Sequence, residues 1–331
     1  MGFGVVGQSF AKLLLSRSAD LYSQHGIKPR VVACLDNKGS AIAPGGLDVQ
    51  RLLEAKKTQG TVAGYERPST NFDPLQVIEK LDAEVMLECT PTNLHDAEPA
   101  TSHITAAMRS RKHVITVNKG PLALAFPSLI ELANYNGVML RFSGTVGGGT
   151  PILEFAKRCL KGDRIISFKG ILNGTTNYIL SKMELGLTYE SAMNDAKEKG
   201  YAEANPSLDV NGFDAAAKLV IMANWIMGMK VTMKDVCCTG IVNVSLSEVK
   251  KAARRGNAIK LLAICDGRRL HVAPTEVSRI DPICVNGTLN AVTFSSEHSG
   301  QQSIIGRGAG GMETASAMLR DLIEIRDETF S

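Results

Sequence analysis

Cysteine is sparse in this 331-residue chain: there are seven, and apart from the pair Cys237-Cys238 each stands alone. No CxxC occurs and no histidine accompanies a cysteine at metal-ligand spacing, which argues against a disulfide framework and a zinc site and fits a reducing compartment. Long hydrophobic runs are missing too. No stretch of about 18 uncharged apolar residues exists, so no membrane span is expected. The first residues lack a basic segment followed by an apolar one, so neither a signal nor a transit peptide is expected and the cytoplasm is the expected location. Charge of one sign is not in excess, since 37 Lys and Arg stand against 33 Asp and Glu for a net +4. The cations are scattered, which excludes a polybasic tail or a nucleic-acid stripe, and the short basic runs at 109–112 and 250–255 read as solvated helix faces. No internal repeat and no low-complexity segment is present.

What is there suits two domains, because an apolar share of 44% lets each half of such a length bury its own core. Up to about residue 140, short β-branched runs (31–36, 85–90, 113–118 and 138–143) alternate with helix-like stretches, the pattern of βαβ units and a parallel sheet. Near Gly144 the character changes. A Gly- and Val-rich segment at 145–150 is followed by a strand-like run at 164–172 and helical patterns at 175–186 and 189–200. Beyond 256 two-residue alternation takes over, with 261–265 and 270–274 flanking Asp266-Gly267 and with 291–296 and 301–305 flanking Ser299-Gly300, as in antiparallel hairpins. A Gly-rich loop at 306–311 opens a final helix that can return to cover the first sheet. The expected organisation is a nucleotide-binding domain over 1–130 completed by 306–331, and a catalytic, substrate and dimerisation domain over 131–305. The fold class is α/β: a Rossmann-like parallel-sheet domain plus an α+β domain with a mixed or antiparallel sheet.

Gly2-Phe3-Gly4-Val5-Val6-Gly7 matches GxGxxG, in which glycines permit a tight turn, close approach of backbone to a pyrophosphate and helix packing on the sheet. Phosphate then sits at the positive helix N-terminus. The hexapeptide alone is also compatible with a structural turn, but Asp36 ends the next predicted strand, where an acidic residue accepts a ribose 2′-OH. Lys38, Lys56 and Lys57 suit a 2′-phosphate instead, so both NAD and NADP stay open. Only Met1 precedes Gly2, whereas the turn normally follows a strand of about five or six residues. The expectations are a shortened version of a longer product, or a damaged cofactor site with unpaired backbone on neighbouring strands.

From Gly200 to Lys218 the sequence carries Glu203, Asp209, Asp214 and Lys218. On a helix starting near 212, Asp214 and Lys218 form an ordinary i, i+4 pair. The rest of that helix is apolar all round and should be buried. Charges at the mouth of a buried helix are costly unless paired or used. The carboxylates can hold an ammonium group, and the lysine can supply a proton or stabilise an alkoxide as a hydride reaches a carbonyl.

Taken together, GFGVVG (2–7), ECTPTN (88–93), VNKGPLAL (117–124), SGTVGGGTPI (143–152), GILNGTTNYIL (170–180), GYAEANPSLDVNGFDAAAK (200–218) and GRGAGGMETASAML (306–319) resemble homoserine dehydrogenases over nearly the whole chain. The resemblance implies NAD(P)-linked interconversion of L-aspartate 4-semialdehyde and L-homoserine, a step toward threonine, isoleucine and methionine. It implies that Phe3, Val5 and Val6 touch the nucleotide, that Thr90 lies near the nicotinamide end, that Lys119 reaches cofactor and substrate, and that Gly200 and Gly308 lie along the cofactor. It makes Glu203, Asp209 and Asp214 ligands of the homoserine amino group or its surroundings, Thr175 a substrate contact and Lys218 the proton donor and acceptor. It also implies a monovalent cation, Na+ or K+, on main-chain oxygens of Val146, Gly148 and Thr150; Ser143 stands where many relatives carry Glu, a departure at the fourth ligand. Without the resemblance, that loop reads equally as a tight crossing between domains. A homodimer through the antiparallel strands and a single-function enzyme without an appended regulatory or kinase domain are expected. The alternatives are a non-catalytic or truncated nucleotide-binding homologue and a related amino-acid dehydrogenase.

Overall fold

A computed structural model describes residues 1–65 and 73–329. The chain divides into two compact units, Met1–Thr145 with Gly310–Ser331, and Val146–Ala309. The boundary expected at 130/131 falls inside the helix Lys119–Asn136, and the strand that follows it still belongs to the first sheet.

In the first unit, β1 (Ala33–Asp36) and β2 (Gly39–Ile42) form an antiparallel hairpin, while β3 (Val85–Glu88), β4 (His113–Thr116) and β5 (Leu140–Arg141) form a parallel sheet in that order. The run 31–36 therefore does not enter the parallel ladder through another long strand. Met1 and Gly2 stand beside it instead. The Met1 ammonium donates to Leu87 O and Cys89 N donates to Met1 O, the slanted pattern of a parallel pair, and Gly2 N donates to Leu35 O. The neighbouring strand ends are thus hydrogen-bonded at these three groups. Phe3, Ala11, Cys34, Leu52 and Val62 form one core cluster, and Phe10, Leu14, Ile115, Met318 and Leu319 another. The latter brings the final helix, Gly311–Thr329, against the first helix, Val5–Ser16, as its apolar spacing predicts. Lys112, read from sequence as solvated, is buried at the start of β4.

The second unit is built on a six-stranded mixed sheet. Its strands are β6 (Ile165–Ile171), β7 (Val236–Cys238), β8 (Asn257–Cys265), β9 (Leu270–Ser278), β10 (Leu289–Ser296) and β11 (Gly300–Arg307), in the order β11-β10-β6-β8-β9-β7. Both expected hairpins form. At the β8–β9 turn Asp266 accepts from the Arg268 and Arg269 N–H groups, the side-chain turn that Asp-Gly chemistry favours. The helix Phe213–Met227 packs on β6, β8 and β9, and every residue from Ala215 to Asn224 is buried. Such a helix has no solvent face, and its charges must be satisfied at its first turns.

Candidate active site

In the first unit the glycine turn does what its spacing predicts. Gly4 caps the helix Val5–Ser16 and no side chain bonds the first-turn N–H groups, so orphan donors face outward at the positive end of the macrodipole. A Cβ on Gly4 would meet nothing within 4 Å, whereas one on Gly7 would lie 2.7 Å from Gly2 O. The first glycine leaves room for a phosphate to approach and the second lets the turn close. Val5 is exposed and Val6 half-buried, while the Phe3 side chain is buried in the core. These residues fit a dinucleotide pyrophosphate.

Asp36 ends β1 with its side chain only 5% exposed. Its carboxylate accepts from Lys56 Nζ (2.6 Å), Thr61 Oγ1 (2.9 Å), Val62 N (3.0 Å) and Lys38 N (3.0 Å). Burial pushes its pKa up, but these hydrogen bonds outweigh burial and hold it below the ordinary carboxylate value. Thr90 follows β3. Its N–H and hydroxyl both donate to Glu88 Oε1, while Asn118 Nδ2 reaches Thr90 O (3.1 Å), Thr90 Oγ1 (3.3 Å) and Pro91 O (3.0 Å). Asn118 Oδ1 also caps the helix Lys119–Asn136, so it fixes where half-buried Lys119 leaves the backbone.

In the second unit, Lys218 is 7% exposed. Its Nζ donates to Leu172 O at 2.6 Å and pairs with Asp214 Oδ2 at 2.7 Å. The hydrogen bond to Leu172 O and the ion pair with Asp214 hold the ammonium between a main-chain carbonyl and a carboxylate. Asn173 draws the carboxylates together, since its Nδ2 donates to Asp209 Oδ1 (2.6 Å) and Asp214 Oδ2 (2.9 Å) while its Oδ1 accepts from Thr176 N (2.9 Å) and caps the helix Gly174–Glu184. Asp209, Asp214 and Lys218 are therefore one constellation. Thr175 donates to Tyr201 O at 2.6 Å, tying that helix to the segment carrying Gly200 and Glu203. Gly200 and Glu203 are exposed, and Glu203 makes no hydrogen bond or ion pair with the constellation among the described residues.

Val146, Gly148 and Thr150 are buried on a loop whose positive φ at Gly148 (54°) requires glycine. Thr150 Oγ1 donates to Arg307 O, and a Cβ on Gly148 would lie 3.0 Å from Ala309 N, so the loop lies against the stretch holding buried Gly308. Among the described residues no group of three or more His, Cys, Asp or Glu side chains is placed to hold a metal; main-chain oxygens are the donors this loop offers, the hard ligands a monovalent cation takes.

The sequence reading missed Asn173 and Asn118. Both are Asn residues directly before a helix start, an N-cap signal that was available. It also missed the buried partners Glu88 and His103, for which no periodic signal exists.

The family model "Homoserine dehydrogenase" matches residues 151–323, and "Homoserine dehydrogenase, NAD binding domain" matches residues 2–143. This chain belongs to the homoserine dehydrogenase family. It is 43% identical to homoserine dehydrogenase of Methanocaldococcus jannaschii over 99% of this chain and 98% of that one. It is 39% identical to the NAD(+)-dependent homoserine dehydrogenase of Pseudomonas canavaninivorans over 98% of this chain and 94% of that one. A crystal structure of a putative homoserine dehydrogenase from Archaeoglobus fulgidus superposes with a TM-score of 0.90 at 40% identity, covering 98% and 97% of the two chains. As a homoserine dehydrogenase the chain is an NAD(P)-dependent oxidoreductase with the α/β class and mixed second sheet expected from sequence. No helix among the described residues is long and apolar enough to cross a membrane.

Proposed function

We propose that Lys218 is the proton donor and acceptor in the interconversion of L-aspartate 4-semialdehyde and L-homoserine. The observation that carries this is the desolvated ammonium held between Leu172 O and Asp214 at the mouth of a buried helix. Leu172 O and Asp214 fix the direction of the ammonium, so an N–H meets a carbonyl oxygen as negative charge develops there. In the reverse direction Nζ receives the hydroxyl proton. A bound nicotinamide supplies or takes the hydride. Asp209 and Asp214, set by Asn173, hold the substrate ammonium, with Glu203 and Thr175 at its surroundings and Lys119 reaching cofactor and substrate.

The turn from Gly2 to Gly7 takes the pyrophosphate on the N–H groups of Phe3, Gly4, Val5, Val6 and Gly7, with Gly2 allowing close approach while its own N–H is held by Leu35 O; Thr90 meets the nicotinamide end, and Gly200 and Gly308 line the cofactor. Because Lys56 neutralises Asp36, the ribose end tolerates a 2′-phosphate, and both NAD and NADP are substrates. Val146, Gly148 and Thr150 hold Na+ or K+ through main-chain oxygens. The enzyme works in the cytoplasm as a homodimer formed through the antiparallel strands of the second unit. The test is homoserine-dependent reduction of NAD+ and of NADP+ followed by nicotinamide absorbance, against a panel of other amino alcohols. No homoserine-dependent turnover with either nucleotide overturns the proposal.

A further inference from the structure

Beneath Thr90 lies a buried acid–imidazole pair that the proposed chemistry does not use. Glu88, at the end of β3, is fully buried, and His103, on the helix Ala100–Arg109, is 5% exposed. His103 Nδ1 lies 2.8 Å from Glu88 Oε2, while Glu88 Oε1 takes both Thr90 donors, the main-chain N–H at 2.7 Å and the hydroxyl. A buried charge is costly, so three donors converging on one carboxylate call for a role. Burial raises the Glu88 pKa, but hydrogen bonds from His103 and Thr90 and the nearby Met1 ammonium outweigh burial and keep the group ionised.

An ionised carboxylate only accepts. His103 therefore carries its proton on Nδ1, and the Thr90 hydroxyl must point its hydrogen inward at Glu88. Asn118 Nδ2 approaches the same oxygen from the side. What Thr90 Oγ1 has left is one lone pair and no hydrogen. A hydroxyl free to turn would present either polarity; this one is committed to one.

We infer that Glu88, backed by His103, is a positioning residue that locks the Thr90 hydroxyl as a hydrogen-bond acceptor, so that this position selects a ligand group that donates, such as a carboxamide N–H. This rests on the reading that Thr90 meets the nicotinamide end of the cofactor.

The test is a double-mutant cycle on NADH and NADPH affinity, read by fluorescence titration rather than by turnover, with thermal unfolding as the control for folding. Thr90→Val removes the acceptor and raises Kd about tenfold, the scale of one hydrogen bond. Glu88→Gln keeps shape and hydrogen-bonding capacity but replaces charge-assisted bonds by neutral ones, and raises Kd about fivefold. In the Thr90→Val background Glu88→Gln adds less than twofold, because the main-chain N–H of residue 90 still finds the Gln carbonyl oxygen and the hydroxyl whose hold is weakened is already gone. His103→Gln, which preserves a donor toward Glu88, retains affinity within about twofold, whereas His103→Leu matches the Glu88→Gln loss. Additive effects of the Thr90 and Glu88 changes, or an unchanged Kd in Glu88→Gln, overturn the inference while leaving Thr90 at the cofactor. An unchanged Kd in Thr90→Val overturns the placement of Thr90 itself and the inference with it.

Discussion

Replacing Lys218 by Met removes the ammonium and leaves a stem of similar size among apolar neighbours. Asp214 then keeps its hydrogen bond from Asn173 but loses its cation at a site where the two side chains are 13% and 9% exposed. Breaking a buried pair by deleting one partner typically costs about 3–5 kcal/mol. Asp214 lies in the first turn of the helix Phe213–Met227, where the macrodipole offsets roughly 0.3–1 kcal/mol, so a net loss of about 2–5 kcal/mol follows. In a unit of about 160 residues that lowers Tm by roughly 4–20 °C, read by calorimetry. Turnover falls by about 10²–10⁴, the usual contribution of a positioned proton donor. The double variant K218M/D214N removes the stranded charge as well. Its Tm recovers at least half of the loss while its turnover stays at the level of K218M. Two results refute the reasoning: K218M turnover within tenfold of the parent, which removes Lys218 from proton transfer, or an unchanged Tm, which means the pair is not desolvated.

Asn173→Ala strips one helix cap and the bridge between two carboxylates; it should lower stability by about 1–2 kcal/mol in urea unfolding and raise the KM for homoserine more than the KM for the nucleotide. The depressed pKa of Asp36 means that its ionised form stabilises the fold at pH values above the ordinary carboxylate pKa, and that this stabilisation is lost as pH falls through the depressed value. Between about pH 5 and 3 the parent Tm should therefore fall more steeply than that of Asp36→Asn, measured by scanning fluorimetry. Lys260 is completely buried and pairs with Glu184 at 3.0 Å and Asn286 at 2.9 Å; Glu184→Gln, which leaves it facing a neutral group, should cost about 3 kcal/mol in denaturant unfolding with little change in nucleotide Kd.

The hairpins over 257–278 and 289–307 were legible because alternation and turn chemistry agree locally at Asp266-Gly267 and Ser299-Gly300. The buried helix from Phe213 was legible because, past Asp214 and Lys218, nearly every position on all its faces is apolar. The hairpin partner of β1 was not, since Gly39–Ile42 is Gly, Ser, Ala and a single Ile, a composition without β signal whose pairing is set by its neighbour. In the site, the i, i+4 spacing of Asp214 and Lys218 sufficed to pair them. Their link to Asp209 runs through Asn173, 36 and 41 residues earlier, and contacts over such separations leave no local pattern. Glu203 and Asp209 look equivalent in sequence, yet a helical turn carries only Asp209 to Asn173.

Asn173 holds both the opening of a helix and the carboxylates beside Lys218 with the two ends of a single amide. Loosening of that one turn is enough to disperse the acids, although the sheet behind them stays intact. Turnover should then vanish at lower denaturant than bulk ellipticity, and amide exchange at Thr176 should report the same early opening.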